Sequence, residues 1–353
     1  MSKQYNLVLY TAAMEAEIQD LSKRRFLVQS GLIGLGLAAS SALVAARLAE
    51  LAIFDDGEEE LEEHDRPWLK SELLPDSMLL GVAPDHNDFD GIPYANDYTI
   101  VNYFSTWNDW LLERDVDIPT NVKAKTPMIS LLPFNHAHPQ GFTYQQIKEQ
   151  KARITKQAEK LSVFSKFYFR FGYEMNGSWY RDGVGRQTAG EFIDGYKYVI
   201  DIVRSVAPQA EAVWCPNVGY TIAEYYPGDD FVDVVALDGY NKYNKKLLHA
   251  RNFVLNQSFQ KIFGPDIRIL QDICDKPIMI AEVGIEQGEN NVPWLLDALH
   301  KAATYDRVFA VCLFAWNKAS GRLDHTEADW GRMLTDELHL GVQETGWYKT
   351  GSG

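Results

Sequence analysis

The chain has few of the features that mark several common classes of protein. Its 353 residues contain only three cysteines, Cys215, Cys274 and Cys312, which lie far apart in or beside apolar runs. An odd and widely spaced set does not form a disulfide framework, and no Cys/His cluster has the spacing of a metal site. We therefore predict three buried free thiols, with no metal and no other cofactor.

Basic charge is also scarce. Lysine and arginine total 34 against 49 aspartates and glutamates, a net charge of -15, which argues against a nucleic-acid surface. No Gly-x-Ser-x-Gly segment is present, which argues against an acyl hydrolase with a nucleophile elbow. The segment after the first predicted strand, Leu-Gly-Val-Ala-Pro-Asp at 80–85, is not a glycine-rich phosphate turn. This disfavours an open doubly wound sheet.

A basic segment followed by an apolar one stands near the N-terminus. Residues 22–27 read Ser-Lys-Arg-Arg-Phe-Leu, and a stretch rich in glycine and alanine continues to Ala46. This order is typical of an export signal. The segment resembles the twin-arginine export motif, with Lys23 where the first arginine usually stands. We predict export of the chain to the periplasm or to the outside of the cell.

Two interpretations of this region remain open. Residues 1–50 are either a cleaved signal or a membrane anchor, since residues 26–46 are close to the ~20 residues that span a bilayer. An anchor would tether the chain with its C-terminal part outside, because the basic side is N-terminal. Residues 51–76, which include the run Asp-Asp-Gly-Glu-Glu-Glu-Leu-Glu-Glu-His-Asp, are predicted to be an acidic linker.

Residues 77–350 alternate between short apolar runs and amphipathic stretches. Continuous apolar runs indicate strands that are covered on both faces. Eight of them alternating with helices predict an α/β fold, the (β/α)8 TIM barrel, with an open doubly wound sheet as the alternative. The predicted strands are 78–83, 98–104, 127–132, 167–173, 210–215, 232–237, 277–282 and 309–316, and the predicted helices are 143–161, 188–206, 292–304 and one near 329–340.

Two of these apolar runs end in a glutamate. The run that starts at Phe167 is followed by Glu174, and the run that starts at Pro277 ends in Glu282. A carboxylate is costly to bury without a partner, and active-site residues of such barrels lie at the C-terminal ends of strands. Most glycoside hydrolysis uses a pair of carboxylates. The two glutamates therefore predict a glycosidase active site.

Three segments resemble glycoside hydrolase family 26, the family of β-mannanases, lichenases and β-1,3-xylanases. They are residues 170–180, 226–241 and 277–284, and the similarity extends in order and spacing over about 77–345. The resemblance implies a retaining mechanism with Glu174 as acid/base and Glu282 as nucleophile. The family commonly has histidine directly before the acid/base, where this chain has Tyr173.

Further residues are expected around the two glutamates. Arg170 should point to the same side of the barrel as Glu174 and hold the nucleophile charged; the alternative is an ion pair that braces the barrel interior. Tyr240 should donate its hydroxyl to Glu282. The predicted substrate contacts are Arg170, Asn176, Trp179, Tyr240 and Trp316, followed by Trp214 and Asn217 as weaker candidates.

These observations predict a retaining endo-β-glycosidase whose catalytic domain is residues 77–350. The expected partner is a β-linked polysaccharide, either β-1,4-mannan or mixed-linkage β-glucan. The alternative is a noncatalytic or weakly catalytic glycan-binding barrel in a membrane-associated polysaccharide or export assembly. The presence of both glutamates favours the enzyme, because binding alone would not require them.

Overall fold

A computed structural model describes most of the predicted barrel. The described residues are 78–84, 93–106, 125–133, 143–177, 188–241, 257–285, 291–315, 334–345 and 348–349. The predicted signal or anchor and the acidic linker lie outside these ranges. Within them, no helix combines the length and the apolar character needed to cross a membrane.

Eight parallel strands form a closed barrel. Each strand pairs with the next one along the chain, and β1 pairs with both β8 and β2, which closes the ring. The predicted (β/α)8 barrel is therefore confirmed. The strands are β1 Met78–Pro84, β2 Ile100–Thr106, β3 Thr126–Leu132, β4 Phe167–Phe171, β5 Ala210–Trp214, β6 Val234–Asn241, β7 Ile278–Ile285 and β8 Val308–Ala315. A short strand, β9 Tyr348–Lys349, pairs with the start of β1.

Helices connect the strands, and local sequence fixes where several of them begin. Thr143 and Thr188 each form a capping box with the residue three positions later, Gln146 and Glu191, which satisfies backbone N–H groups at the helix start. Ser258 caps a further helix. The helices in the described ranges are α1 Tyr144–Glu149, α2 Lys151–Leu161, α3 Ala189–Val206, α4 Phe259–Ile273, α5 Asn291–Thr304 and α6 Asp336–Thr345.

The hydrophobic core lies inside the barrel and between the strands and the helices. All eight residues of β7 are buried, as expected for a strand whose two faces are both covered. On the helix side, α3 buries Phe192, Tyr196, Val199 and Val203. This burial of apolar surface is the main term that stabilises the fold.

Three helical regions differ from the prediction. The single helix expected over 143–161 is two helices, because the chain breaks at Gln150, whose ψ of 9° is not helical. Helix α4 was not predicted, because the pair Gly264–Pro265 within it reads as a helix breaker. The C-terminal helix expected near 329–340 begins at Asp336 in the described range and runs to Thr345.

Two strands extend well past their predicted C-terminal ends, and the difference affects the site. β6 continues to Asn241 and β7 continues to Ile285. Glu282 therefore lies within β7 rather than at its last position. β4, in contrast, ends at Phe171, so that Glu174 lies in the turn that follows this strand.

Candidate active site

Arg170 is the centre of a polar network inside the barrel. Its Nε donates to Ser130 Oγ on β3 at 2.7 Å, and the Ser130 hydroxyl donates to Asn102 Oδ1 on β2 at 2.6 Å. Its Nη1 donates to both carboxylate oxygens of Asp238 on β6, at 2.7 and 2.9 Å. All four side chains are completely buried. Because the contacts to Arg170 come from two other strands, β3 and β6, they fix the plane of the guanidinium. We call Asn102, Ser130, Arg170 and Asp238 the arginine network.

Glu282 joins the arginine network through its carboxylate. Arg170 Nη2 donates to Oε1, and the hydroxyl of Tyr240 on β6 donates to Oε2. Only 3% of Glu282 is exposed. Each oxygen thus has a donor from a different strand, and both donors stabilise negative charge on the carboxylate. The predicted contacts of Arg170 and Tyr240 with Glu282 are present in the structure.

A register shift in β7 brings Glu282 level with Asp238. Leu237 pairs with Ile280, but the next residue of β6, Asp238, pairs with Glu282. β7 therefore carries one extra residue, Ala281, at this point. An extra residue of this kind re-aims the side chains that follow it. Here it places Glu282 where the Arg170 guanidinium reaches both carboxylates.

Burial and charge act on the ionisable groups of this cluster. Burial disfavours the charge on Arg170, but Asp238 and Glu282 outweigh it and hold the pKa of the guanidinium well above its ordinary value. Burial, together with the Glu282 carboxylate, also raises the pKa of Tyr240 well above its ordinary value. Tyr240 therefore keeps its proton and remains a donor across the neutral range. Burial raises the pKa of Asp238, and the contact with Arg170 opposes this effect.

Glu174 approaches the same region from the turn after β4. Its φ of 55° is in the left-handed region, which is unfavourable for a residue with a side chain. Its amide donates to the carbonyl of Cys215 at 2.8 Å. The side chain is 7% exposed, and Oε1 accepts from Asn217 Nδ2 at 2.7 Å. In this contact Glu174 faces a neutral amide, whereas Glu282 faces a guanidinium.

The strand register shows that the two glutamates lie at the same level of the barrel. Glu174 is bonded to the chain just beyond β5 through Cys215. Two residues later, Asn217 forms a bridge with Asp238, which in turn pairs with Glu282. The Glu174 carboxylate also contributes to the raised pKa of Asp238. Both glutamates therefore lie near Asp238 at the C-terminal end of the barrel.

Aromatic rings cover the guanidinium of Arg170. The ring of Tyr173 has its centroid 4.2 Å from Arg170 Cζ, and the ring of Phe104 lies 5.7 Å from it. A guanidinium over an aromatic face at these distances forms a cation–π contact. Tyr173, the residue at the family's histidine position, is therefore packed against the arginine network, and 6% of it is exposed.

The predicted substrate contacts have different outcomes. Arg170 is completely buried and reaches Glu282 rather than a surface where a sugar could lie. Trp214 is also completely buried, and its ring packs edge-on against Tyr226 with centroids 5.1 Å apart. Neither side chain exposes any surface in this structure, and their contact with substrate stays a prediction. Trp179 and Trp316 lie outside the described residues.

Asn176 and Asn217 contact each other. Asn176 Nδ2 donates to the Asn217 carbonyl, and the Asn217 amide donates to Asn176 Oδ1, both at 2.8 Å. Asn176 was predicted to contact a sugar hydroxyl, but in the structure its amide group bonds the backbone of Asn217. Asn217 was a weak candidate for substrate binding, and the structure places it on Glu174 instead.

Sequence reasoning missed three members of the arginine network. Asp238, Ser130 and Asn102 were given no role, although each lies among apolar residues in a mostly buried strand. A polar side chain buried in this way is costly unless it is hydrogen-bonded. That cost was the signal that could have identified them.

The described residues also bear on the predictions about metal ligands and cysteines. No group of three His, Cys, Asp or Glu side chains among them is arranged to hold a metal ion. Cys215, Cys274 and Cys312 are all buried free thiols, which confirms the prediction for them.

Comparison with known proteins identifies several relatives. The chain is 31% identical over 192 residues to Endoglucanase H of Acetivibrio thermocellus, a match that covers 51% of this chain and 20% of that protein. It is 32% identical over 80 residues to Mannan endo-1,4-beta-mannosidase of Bifidobacterium adolescentis, covering 21% of this chain and 8% of that protein. Among solved structures, it is similar to a Cellulomonas fimi endo-beta-1,4-mannanase double mutant with 15% identity and a TM-score of 0.48, covering 78% of this chain and 74% of that one.

The two curated relatives are matched over only a small part of their own length: the chain spans a fifth of the first and less than a tenth of the second. The family assignment has broader support. The sequence profile described as "Glycosyl hydrolase family 26" matches residues 91–298. This match covers more than half of the 353 residues, and the chain therefore belongs to glycosyl hydrolase family 26.

Proposed function

We propose that this chain is a retaining endo-β-glycosidase that hydrolyses a β-linked polysaccharide by a two-step displacement. The observation that carries the proposal is the difference between the surroundings of the two carboxylates. Glu282 accepts from Arg170 and Tyr240, and Glu174 accepts from the neutral amide of Asn217. Environments that treat two carboxyl groups differently give them different roles in acid/base chemistry.

Glu282 is the nucleophile in this proposal. Its charge is stabilised by Arg170 and Tyr240, which hold the carboxylate in one orientation. In the first step Glu282 attacks the anomeric carbon, and Glu174 gives its proton to the departing glycosidic oxygen. In the second step Glu174 takes a proton from water, which attacks the same carbon and releases Glu282. Two inversions leave the anomeric configuration unchanged.

β-1,4-Mannan and mixed-linkage β-glucan are the proposed substrates. Their support is the resemblance to a family of mannanases and lichenases, together with relatives whose names are an endoglucanase and a mannan endo-1,4-beta-mannosidase. Those names also support cleavage within the polymer rather than at its end. Reducing ends released from a panel of mannans, β-glucans and xylans would separate the substrate classes. A mixture of oligosaccharides at early times would support internal cleavage.

Export is proposed on sequence grounds alone. The basic and apolar segment over 22–46 would take the domain across a membrane, where polymeric substrates are accessible. N-terminal sequencing of the mature protein separates cleavage from anchoring. Replacing Arg24 and Arg25 by glutamine should block export of a reporter fused to residues 1–66, if the twin-arginine route is used.

Substitution of the two glutamates tests the roles. Glu282→Ala should abolish turnover of every substrate, because no glycosyl-enzyme forms. Glu174→Ala should still react with an aryl glycoside that has a very acidic leaving group, and should then stall before deglycosylation. Added azide should restore turnover and give the β-glycosyl azide.

A matched control is Glu211→Ala. Glu211 lies near the start of β5 and pairs with Lys166 at 2.7 Å on the surface, at the opposite end of the barrel. Its loss should leave activity unchanged. An α-configured first product, or substantial activity in Glu282→Ala, would refute the assignment. A wild-type protein that binds glycans but releases no reducing ends would favour the noncatalytic alternative.

A further inference from the structure

Asn217 donates a side-chain hydrogen bond to Glu174, the proposed acid/base. Its Nδ2 lies 2.7 Å from Glu174 Oε1, and only 8% of Asn217 is exposed. An amide NH₂ group can only donate. The bond is therefore directional, and it acts on one of the two oxygens of Glu174.

The backbone that carries Asn217 is held on several sides. Asn176 bonds both its amide and its carbonyl, at 2.8 Å each. The next amide along the chain donates to the carbonyl of Asp238 at 3.0 Å. The amide of Gly219 donates to Oδ2 of Asp266, a buried carboxylate on α4, at 2.7 Å. Supporting contacts of this kind hold a side chain in one place, so the Asn217 amide reaches Glu174 from a fixed direction.

The direction of this bond decides where the proton of Glu174 resides. In a protonated carboxyl group, one oxygen is a carbonyl acceptor and the other carries the hydrogen. A donor at Oε1 favours the form with the hydrogen on Oε2. After the proton has left, Oε1 still accepts from Asn217, and Oε2 is the oxygen that takes the proton from water. The same oxygen then serves in both steps.

We infer that Asn217 is a positioning residue that keeps the transferable proton on Oε2 of Glu174. This inference rests on the function proposed above, in which Glu174 is the acid/base. It assigns Asn217 a part in proton transfer instead of sugar binding. It also gives Asn176 an indirect role, because Asn176 holds the backbone of Asn217 in place.

The test is the dependence of Asn217→Ala on the leaving group. The probes are aryl β-cellobiosides and β-mannobiosides. With a phenyl leaving group, which needs a proton, kcat/KM should fall by about 10- to 100-fold, part of the ~100- to 10,000-fold that acid/base catalysis contributes. With 2,4-dinitrophenyl, which needs no proton, kcat/KM should fall by less than about 3-fold. The slope of log(kcat/KM) against leaving-group pKa should therefore become steeper.

The pH profile provides a second readout. The Asn217 N–H stabilises the ionised form of the carboxylate that it contacts. Without it, the protonated acid persists to higher pH, and the basic limb of kcat/KM should move up by about one pH unit. NMR titration of the Glu174 carboxyl carbon should show the same displacement without any substrate.

Two variants control for a change in folding. Asn217→Asp keeps the shape of the side chain but loses the N–H donor when ionised. It should show the same steeper slope, and it replaces Asn217→Ala if that variant does not fold. Gln209→Ala removes another amide that binds neighbouring backbone, the carbonyls of Ser162 and Phe164, at the opposite end of the barrel. It should lower Tm without changing the slope or the pH profile.

Two results would overturn the inference while leaving the proposed function intact. The first is an equal loss for all leaving groups in an active Asn217→Ala enzyme, which would indicate substrate binding or general packing. The second is an unchanged NMR titration of Glu174. Failure of the proposed function looks different: the wild type would release no sugar, and Glu174→Ala would behave like the wild type.

Discussion

Removing the Arg170 side chain should be strongly destabilising. Arg170→Met deletes the donors to Ser130 at 2.7 Å, to Asp238 at 2.7 and 2.9 Å, and to Glu282. It leaves two carboxylates, 0% and 3% exposed, without a cation. Breaking a buried ion pair in this way costs about 3–5 kcal/mol, because a buried charge is left unpaired. That is a large part of the ~5–15 kcal/mol that typically stabilises a protein.

The cost should depend on pH. Burial already raises the pKa of Asp238, and Arg170 opposes that rise. Without Arg170 the pKa of Asp238 in the folded protein rises further above the unfolded value of about 3.9. A group with a raised folded pKa contributes stability below its unfolded pKa and loses it as the pH rises through the folded pKa. Relative to the wild type, Arg170→Met should therefore be least destabilised at about pH 4–5 and most destabilised at about pH 8.

Urea unfolding followed by tryptophan fluorescence at both pH values measures this cost. The matched control is Arg204→Met, because Arg204 pairs with Asp233 at 2.9 Å while their side chains are 28% and 38% exposed. An exposed pair contributes about 0–1 kcal/mol, so the control should change little with pH. Arg170→Lys keeps the charge and should lie between Arg170→Met and the wild type. A cost for Arg170→Met below about 1 kcal/mol, or one that is equal at both pH values, would refute the reasoning.

Two further predictions concern packing and the nucleophile. A Cβ on Gly239 would lie 2.6 Å from the ring of Phe263, so Gly239→Ala should lower the free energy of unfolding by about 1–3 kcal/mol. Gly190→Ala, where nothing lies within 4 Å, should instead raise it by up to about 1 kcal/mol in the same urea titration. Tyr240→Phe removes the hydroxyl that donates to Glu282, and kcat/KM should fall by about 10- to 100-fold for all leaving groups alike, as expected for one hydrogen bond to a charged group. An unchanged rate would show that this hydrogen bond does not support the nucleophile.

The strands could be predicted from the sequence more completely than the helices. All eight apolar runs became barrel strands, because an apolar run covered on both faces has few other structures to adopt. Helix α4 was missed since Pro265 lacks the N–H group of a helical residue. In the structure Ser258 caps this helix. At Gly264 an added Cβ would lie 2.8 Å from the Tyr305 hydroxyl, so the glycine permits close packing there.

The sequence indicated the two glutamates of the candidate site but not the residues that contact them. Glu174 and Glu282 stand out because they follow or interrupt apolar runs. The partnership of Asn176 with Asn217 joins residues 41 positions apart, and no spacing along the chain indicates it. Trp214 was a weak candidate for substrate contact from its place at the end of a strand, but side chains alternate between the two faces, and in the structure Trp214 is buried against Tyr226.

The extra residue in β7 has a consequence for how this strand can vary. A point substitution before Glu282 leaves unchanged the face that each later side chain presents, whatever it costs in packing. Inserting or deleting one residue there would reverse the face that each later side chain of β7 presents. Glu282 would then lose Arg170 and Tyr240 at once. The orientation of the carboxylate is thus set by the length of this segment, and a single-residue insertion or deletion there would remove both of its donors.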